Sequence, residues 1–93
     1  MGKLEGWQGF LKLCCKVKSV DELDKLFGLF FTSEEREALA GRFLIVAELV
    51  KGKLTQREIA EHYKTSIGQI TRGSNALKII DSSLRKFLEK ELK

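Results

Sequence analysis

The chain has 93 residues, 43% hydrophobic and 32% charged, with no proline and a formal net charge of +4, which excludes a second domain, a disordered tail and a fibrous repeat, so residues 1–93 are read as one domain. A chain of this size buries only about two thirds of its surface alone, so an oligomer is expected. Its longest apolar runs, Leu26 to Phe31 and Phe43 to Ala47, fall far short of the roughly 18 residues that span a bilayer, and Lys12 and Lys16 break the stretch a secretory segment would need, so a cytoplasmic protein without a membrane partner is expected.

The elements read as helices throughout. Trp7, Phe10, Leu11, Cys14 and Val17 recur at helical spacing and predict a first amphipathic helix from about Glu5 to Lys18. Ser19 with Glu22 makes a capping box for a second helix, whose apolar face is Val20, Leu23, Leu26, Phe27 and Phe30 and which ends near Gly28 to Phe31. Thr32 with Glu35 opens a third, running to Val50 and followed by Gly52. This helix is apolar around most of its circumference (Leu39, Phe43, Leu44, Ile45, Val46, Leu49, Val50) and so requires cover on several sides.

The next start is the best marked. Thr55 caps, Glu58 completes the box, and Leu54 with Ile59 forms a hydrophobic staple, which predicts a short helix from Gln56 to Tyr63. Lys64 to Ser66 is a turn, Ser66 with Gln69 opens a fifth helix from Ile67 to about Leu77, and a last helix begins at Asp81 or Ser82 with Leu84, Phe87, Leu88 and Leu92 on one face. The fold class is therefore all-α with six helices.

Charge is distributed unevenly. From Lys51 to Lys78 there are six basic residues and two acidic ones, while in the rest of the chain 11 basic residues balance 11 acidic ones. The whole excess lies on the two short helices and their flanks, as expected of a surface that meets a polyanion. Cys14 and Cys15 are adjacent; Cα atoms about 3.8 Å apart are too close for a usual disulfide. They are read as reduced thiols, one packed in the core and one at the helix edge. With His62 the only histidine, a closed zinc site lacks ligands and no metal is expected. A lone histidine, unactivated thiols and no recognisable acid–base pair make an enzyme the weakest class of function.

Two short helices joined by three residues and carrying the basic excess read as a helix-turn-helix at about residues 55–78, whose second helix enters the major groove of DNA. Ile59 and Ile70 point at the helix crossing, Ala60 is small where the helices approach, and Lys64 occupies a turn position where glycine is common but not obligatory. Ile67, Gly68, Gln69, Thr71 and Arg72 fall in the first turns of the reading helix. Ile67 suits a thymine methyl, Gln69 suits adenine, and Gly68 admits close backbone approach. Gln56, Arg57 and Lys78 are placed for phosphates.

The run Glu35-Arg36-Glu37-Ala38-Leu39, then Arg42, Ile45-Val46, Glu48-Leu49, Gln56-Arg57-Glu58 and above all Ile70-Thr71-Arg72-Gly73-Ser74-Asn75 resembles the tryptophan repressor family. The resemblance runs without gaps from about Thr32 into the last helix; the N-terminal third matches in helical layout and is shorter than usual. It implies an intertwined homodimer that represses genes of tryptophan biosynthesis or uptake, binding a palindromic operator in double-stranded DNA when L-tryptophan is bound as co-repressor. It further implies that the indole lies between Arg42 and Arg72, with Gly73 leaving room for the ring and Val46 lining the pocket. Guanidinium planes stack on indole and pair with carboxylates in a way lysine does not.

By the same resemblance, the second subunit supplies Thr32 to the ligand carboxylate, and backbone carbonyls near Leu29 and Phe31 to its ammonium. Asn75 joins the residues expected to meet DNA. Four positions depart from the family pattern: Ala76 stands where a serine near the ammonium is common, Ala60 where lysine is common, Gln69 where threonine is common, and Phe31 in place of leucine, a harmless change since only its carbonyl is needed. The alternative is a helix-turn-helix regulator with a different small-molecule co-repressor, or none. A further alternative is an interaction module whose apolar helices dock a protein partner.

Overall fold

A computed structural model describes residues 2–93. Among the described residues there are six helices and no strand: α1 (Lys3–Lys16), α2 (Val20–Phe30), α3 (Ser33–Lys51), α4 (Gln56–Tyr63), α5 (Ile67–Ile79) and α6 (Ser82–Leu92). The all-α, six-helix expectation holds. None of these helices is long and apolar enough to cross a membrane.

The boundaries follow from the caps. Thr32, Thr55, Ser66 and Asp81 each accept a backbone N–H three residues on through a side-chain oxygen, and Ser19 accepts that of Glu22 at 3.1 Å. That last bond corrects the first helix, which starts at Lys3 and stops at Lys16 instead of running from Glu5 to Lys18. Ser19 must be extended to cap α2, and Val17 already leaves the helix at φ −74° and ψ 136°, so Val17 and Lys18 serve as the connection. At the other end α5 continues two residues past Leu77, to Ile79.

The chain divides into two compact units, one ending at Arg36 and one running from Glu37 to Lys93. In the N-terminal unit, Phe10 of α1 is the centre of an aromatic cluster, with ring centroids 5.8 Å from Trp7, 6.0 Å from Phe27, 5.3 Å from Phe30 and 6.0 Å from Phe31. The pairs with Trp7 and Phe27 are stacked and those with Phe30 and Phe31 edge-to-face, and both arrangements add to the burial they bring. Yet neither α1 nor α2 has a buried residue, and Leu4, Val20 and Leu29 stay largely exposed. Cys14 is half-buried and Cys15 exposed, so the first thiol sits at the edge of the apolar face and not within a core.

The C-terminal unit holds the buried core: Ile45, Ala47 and Val50 of α3, Ile59 of α4, and Ile70 and Leu77 of α5. Ile59 and Ile70 are 0% exposed. They meet Ile45, with Leu49, Leu54, Ala60 and Tyr63 packed around them. Leu54 thus reaches the cluster of Ile59, as the staple requires. The expected cover for α3 is incomplete, since Leu39, Phe43 and Leu44 remain exposed, as do Leu84 and Phe87 of α6.

Candidate DNA-reading helix and ligand cavity

The hairpin of α4 and α5 is set by its ends. The Thr55 hydroxyl accepts the Glu58 N–H at 3.1 Å and the Glu58 carboxylate accepts the Thr55 N–H at 2.9 Å. The Thr55 N–H, and second the Thr55 hydroxyl beside the carboxylate, hold the Glu58 carboxyl below its ordinary value. α4 stops because Lys64 turns left-handed, φ 52° and ψ 46°, letting the Thr65 N–H reach the Ala60 carbonyl at 3.0 Å. A left-handed non-glycine residue costs roughly 1–2 kcal/mol, which the fully buried Ile59–Ile70 contact across the turn offsets. The Ser66 hydroxyl then accepts the Gln69 N–H at 3.2 Å and starts α5.

One face of α5 enters the core through Ile70 and Leu77, with Gly73 between them against α3, and the opposite face is turned outward. Gly68, Thr71, Asn75 and Lys78 follow one another at three- and four-residue steps and are all exposed, as are Ile67, Gln69 and Arg72 on the same helix and Gln56 and Arg57 on α4. The Thr71 hydroxyl donates to the Ile67 carbonyl at 3.0 Å, which leaves its oxygen as an acceptor. A methyl group added at Gly68 would meet nothing nearer than the Ser66 hydroxyl at 3.8 Å, so the backbone there is open to approach. The hairpin accordingly presents all nine residues expected to meet DNA at the surface.

Between α3 and α5 lies a cavity of about 280 Å³ lined by Arg42, Ile45, Val46, Gln69, Arg72, Gly73 and Ala76. That volume is at the low end for ligand sites, which run from about 300 to 1,000 Å³, and suits one small molecule. Arg42 and Val46 of α3 and Arg72, Gly73 and Ala76 of α5, two stretches far apart in sequence, are brought together here. No acidic side chain lines the cavity, and neither arginine makes an ion pair among the described residues, so the site is electrostatically prepared for an anion. Gly73 has a second duty. A Cβ there would sit 3.2 Å from Ile45 Cγ2 and 3.3 Å from Leu49 Cδ1, so the missing side chain permits the close approach of α5 to α3.

Ile45 and Gln69 were missed as lining residues. Ile45 lies one helical turn after Arg42, and Gln69 one turn before Arg72, so periodicity carried the signal once the arginines were chosen. Leu29, Phe31 and Thr32 belong to the N-terminal unit. Thr32 caps α3, accepting the Glu35 N–H at 3.1 Å and keeping its own hydroxyl hydrogen free to donate. Leu29 is in the last turn of α2, where helix carbonyls lack intrahelical partners. A wider hollow of about 620 Å³ elsewhere on the C-terminal unit is lined by Lys51, Lys53 and Lys93, but Lys51 and Lys93 are paired with Glu48 and Glu89. Among the described residues no group of three His, Cys, Asp or Glu side chains is placed to hold a metal ion.

An exposed helix carrying Arg72 and Lys78, set on a short capped one and with a small arginine-lined cavity beside it, defines a helix-turn-helix hairpin. The chain belongs to the Trp repressor protein family, whose pattern matches residues 5–92. It is 53% identical over 87 residues to a Trp operon repressor homolog of Chlamydia trachomatis serovar D, covering 94% of this chain and 93% of that one. It is 55% identical over 84 residues to the Trp operon repressor homolog of Chlamydia caviae, covering 90% and 83%. With that of Histophilus somni it shares 37% identity over 89 residues, covering 96% and 84%.

Proposed function

We propose that this protein is a transcriptional repressor that binds a palindromic DNA operator as a homodimer when L-tryptophan fills the cavity between Arg42 and Arg72. The observation that carries this reading is the cavity itself: two unpaired guanidinium groups facing a small apolar space whose wall is the reading helix. The indole stacks between the guanidinium planes and the carboxylate pairs with one of them. Val46 and Ala76 supply apolar lining, and Ala76 offers no hydrogen bond to the ammonium, which is left to carbonyls of Leu29 and Phe31 from the second subunit. Thr32 of that subunit donates its hydroxyl hydrogen to the ligand carboxylate.

A second copy of the chain also answers the exposed apolar surface. With only six buried hydrophobic residues among the described ones, and Leu4, Trp7, Leu29, Phe30, Phe43 and Phe87 each more than half exposed, one chain has little burial to set against the entropy of ordering its helices. Two intertwined chains bury those faces and present two copies of α5. In dimeric helix-turn-helix proteins, tryptophan repressors among them, such helices meet successive major grooves about 34–36 Å apart. Tryptophan then acts as a wedge that holds α5 at that separation, and by linkage DNA tightens tryptophan binding equally. The regulated genes in this reading are those of tryptophan biosynthesis or uptake, and the protein works in the cytoplasm.

The test is a mobility shift on a palindromic duplex library with and without L-tryptophan, paired with calorimetry on Arg72→Ala. Retardation of a subset of duplexes only when tryptophan is present, and joint loss of ligand and DNA binding in the variant, are expected. Unchanged tryptophan affinity in Arg72→Ala refutes the pocket, and binding indifferent to tryptophan refutes the co-repressor.

A further inference from the structure

The cavity's lining has one chemical peculiarity. Two of its side chains are guanidinium groups, which only donate hydrogen bonds, and Ile45, Val46, Gly73 and Ala76 neither donate nor accept. Gln69 is the one lining side chain with an acceptor. Its backbone N–H is committed to the Ser66 hydroxyl, while its side-chain amide makes no hydrogen bond among the described residues. The backbone carbonyls of Arg42, Ile45, Val46, Gln69, Arg72 and Gly73 lie within α3 and α5 and accept along the helix axis.

We infer that the side-chain carbonyl of Gln69 accepts a hydrogen bond from the ring N–H of the ligand, which makes Gln69 a specificity-determining residue of the cavity; this rests on the reading above. A ring N–H taken out of water without an acceptor is penalised, so the site favours an aromatic ligand bearing a ring donor over a same-shaped one without it. The bond also connects ligand to DNA. Gln69 lies in the first turn of α5 and is exposed. With its carbonyl held by the ligand, its amide hydrogens turn outward, so Gln69 meets DNA as a donor and the two-sided pairing with adenine, which uses both amide atoms, is lost.

The experiment is calorimetry on the full chain without DNA, comparing L-tryptophan with L-3-benzothienylalanine, in which sulfur replaces the ring N–H, in the wild type and in Gln69→Met. Differences in ring hydrophobicity cancel in the resulting cycle. The wild type is expected to prefer tryptophan by about three- to tenfold, and Gln69→Met to bring that preference to about twofold or less. The side chain is exposed and methionine is a good helix former, so the fold is retained; Gln69→Leu is the second variant and is expected to behave alike. A preference that is the same in wild type and both variants overturns the inference and leaves the co-repressor reading intact. Binding of neither compound to the wild type overturns both.

Discussion

Replacing Gly73 by alanine tests whether α5 is held against α3 by the absence of a side chain. Two effects oppose each other. Alanine gains about 1 kcal/mol of helix propensity over glycine. Against it, the new Cβ lies 3.2 Å from Ile45 Cγ2 and 3.3 Å from Leu49 Cδ1, a few tenths of an ångström inside the optimum of about 3.5–4.0 Å for carbon contacts. Leu49 is half-buried and its methyl can yield, but Ile45 is buried against Ile59 and Ile70 and cannot. Overpacking of this kind costs about 1–3 kcal/mol, so the net change is a loss of about 0–2 kcal/mol. Gly68→Ala supplies the control. Its Cβ meets only the Ser66 hydroxyl at 3.8 Å, so it keeps the propensity gain, up to about 1 kcal/mol, without the clash. Urea unfolding of both variants at one protein concentration should therefore place Gly73→Ala below Gly68→Ala by about 1–3 kcal/mol. Because Ile45 also lines the cavity, Gly73→Ala should weaken ligand binding as well. Gly73→Ala proving as stable as Gly68→Ala would show that the close approach is not a constraint.

Ile70→Ala removes a fully buried side chain at the α4–α5 crossing and should cost about 2–5 kcal/mol in urea unfolding, a loss under about 1 kcal/mol being incompatible with the core described. Lys64→Gly relieves a left-handed backbone at φ 52° and, after the entropy glycine adds to the unfolded chain, should stabilise by roughly 0.5 kcal/mol, a lowered melting temperature counting against it. The carboxyls of Glu58 and Asp81 are both held low, Glu58 mainly by the Thr55 N–H and Asp81 mainly by the Leu84 N–H. Below the ordinary carboxylate range of about pH 4 the unfolded chain binds protons that these folded groups refuse. The stability they contribute is therefore complete above that range and is lost as pH falls through their depressed values. Glu58→Gln should flatten part of this acid slope in urea midpoints, and an unaltered slope would refute the cap's electrostatic role.

Sequence alone carried the helices, because each boundary is a local bargain between a side-chain oxygen and an N–H three residues on. Thr55 with Glu58, Ser66 with Gln69 and Thr32 with Glu35 needed no distant partner, and α4 matches its expected span of Gln56–Tyr63. The end of α1 was misplaced because a helical spacing says nothing of the extended residues that the cap of the next helix consumes. Arg42 and Arg72 were legible through their resemblance to a known pattern, but composition or periodicity alone does not pair them. Only the packing of α5 on α3 puts the two guanidinium groups on one cavity, turns Gln69 into its wall, and converts Gly73 from a gap in a helix into the condition for that packing. Helix caps are encoded within three or four residues, whereas a cavity is a property of two surfaces brought to one distance, and that distance is set by buried side chains far apart along the chain.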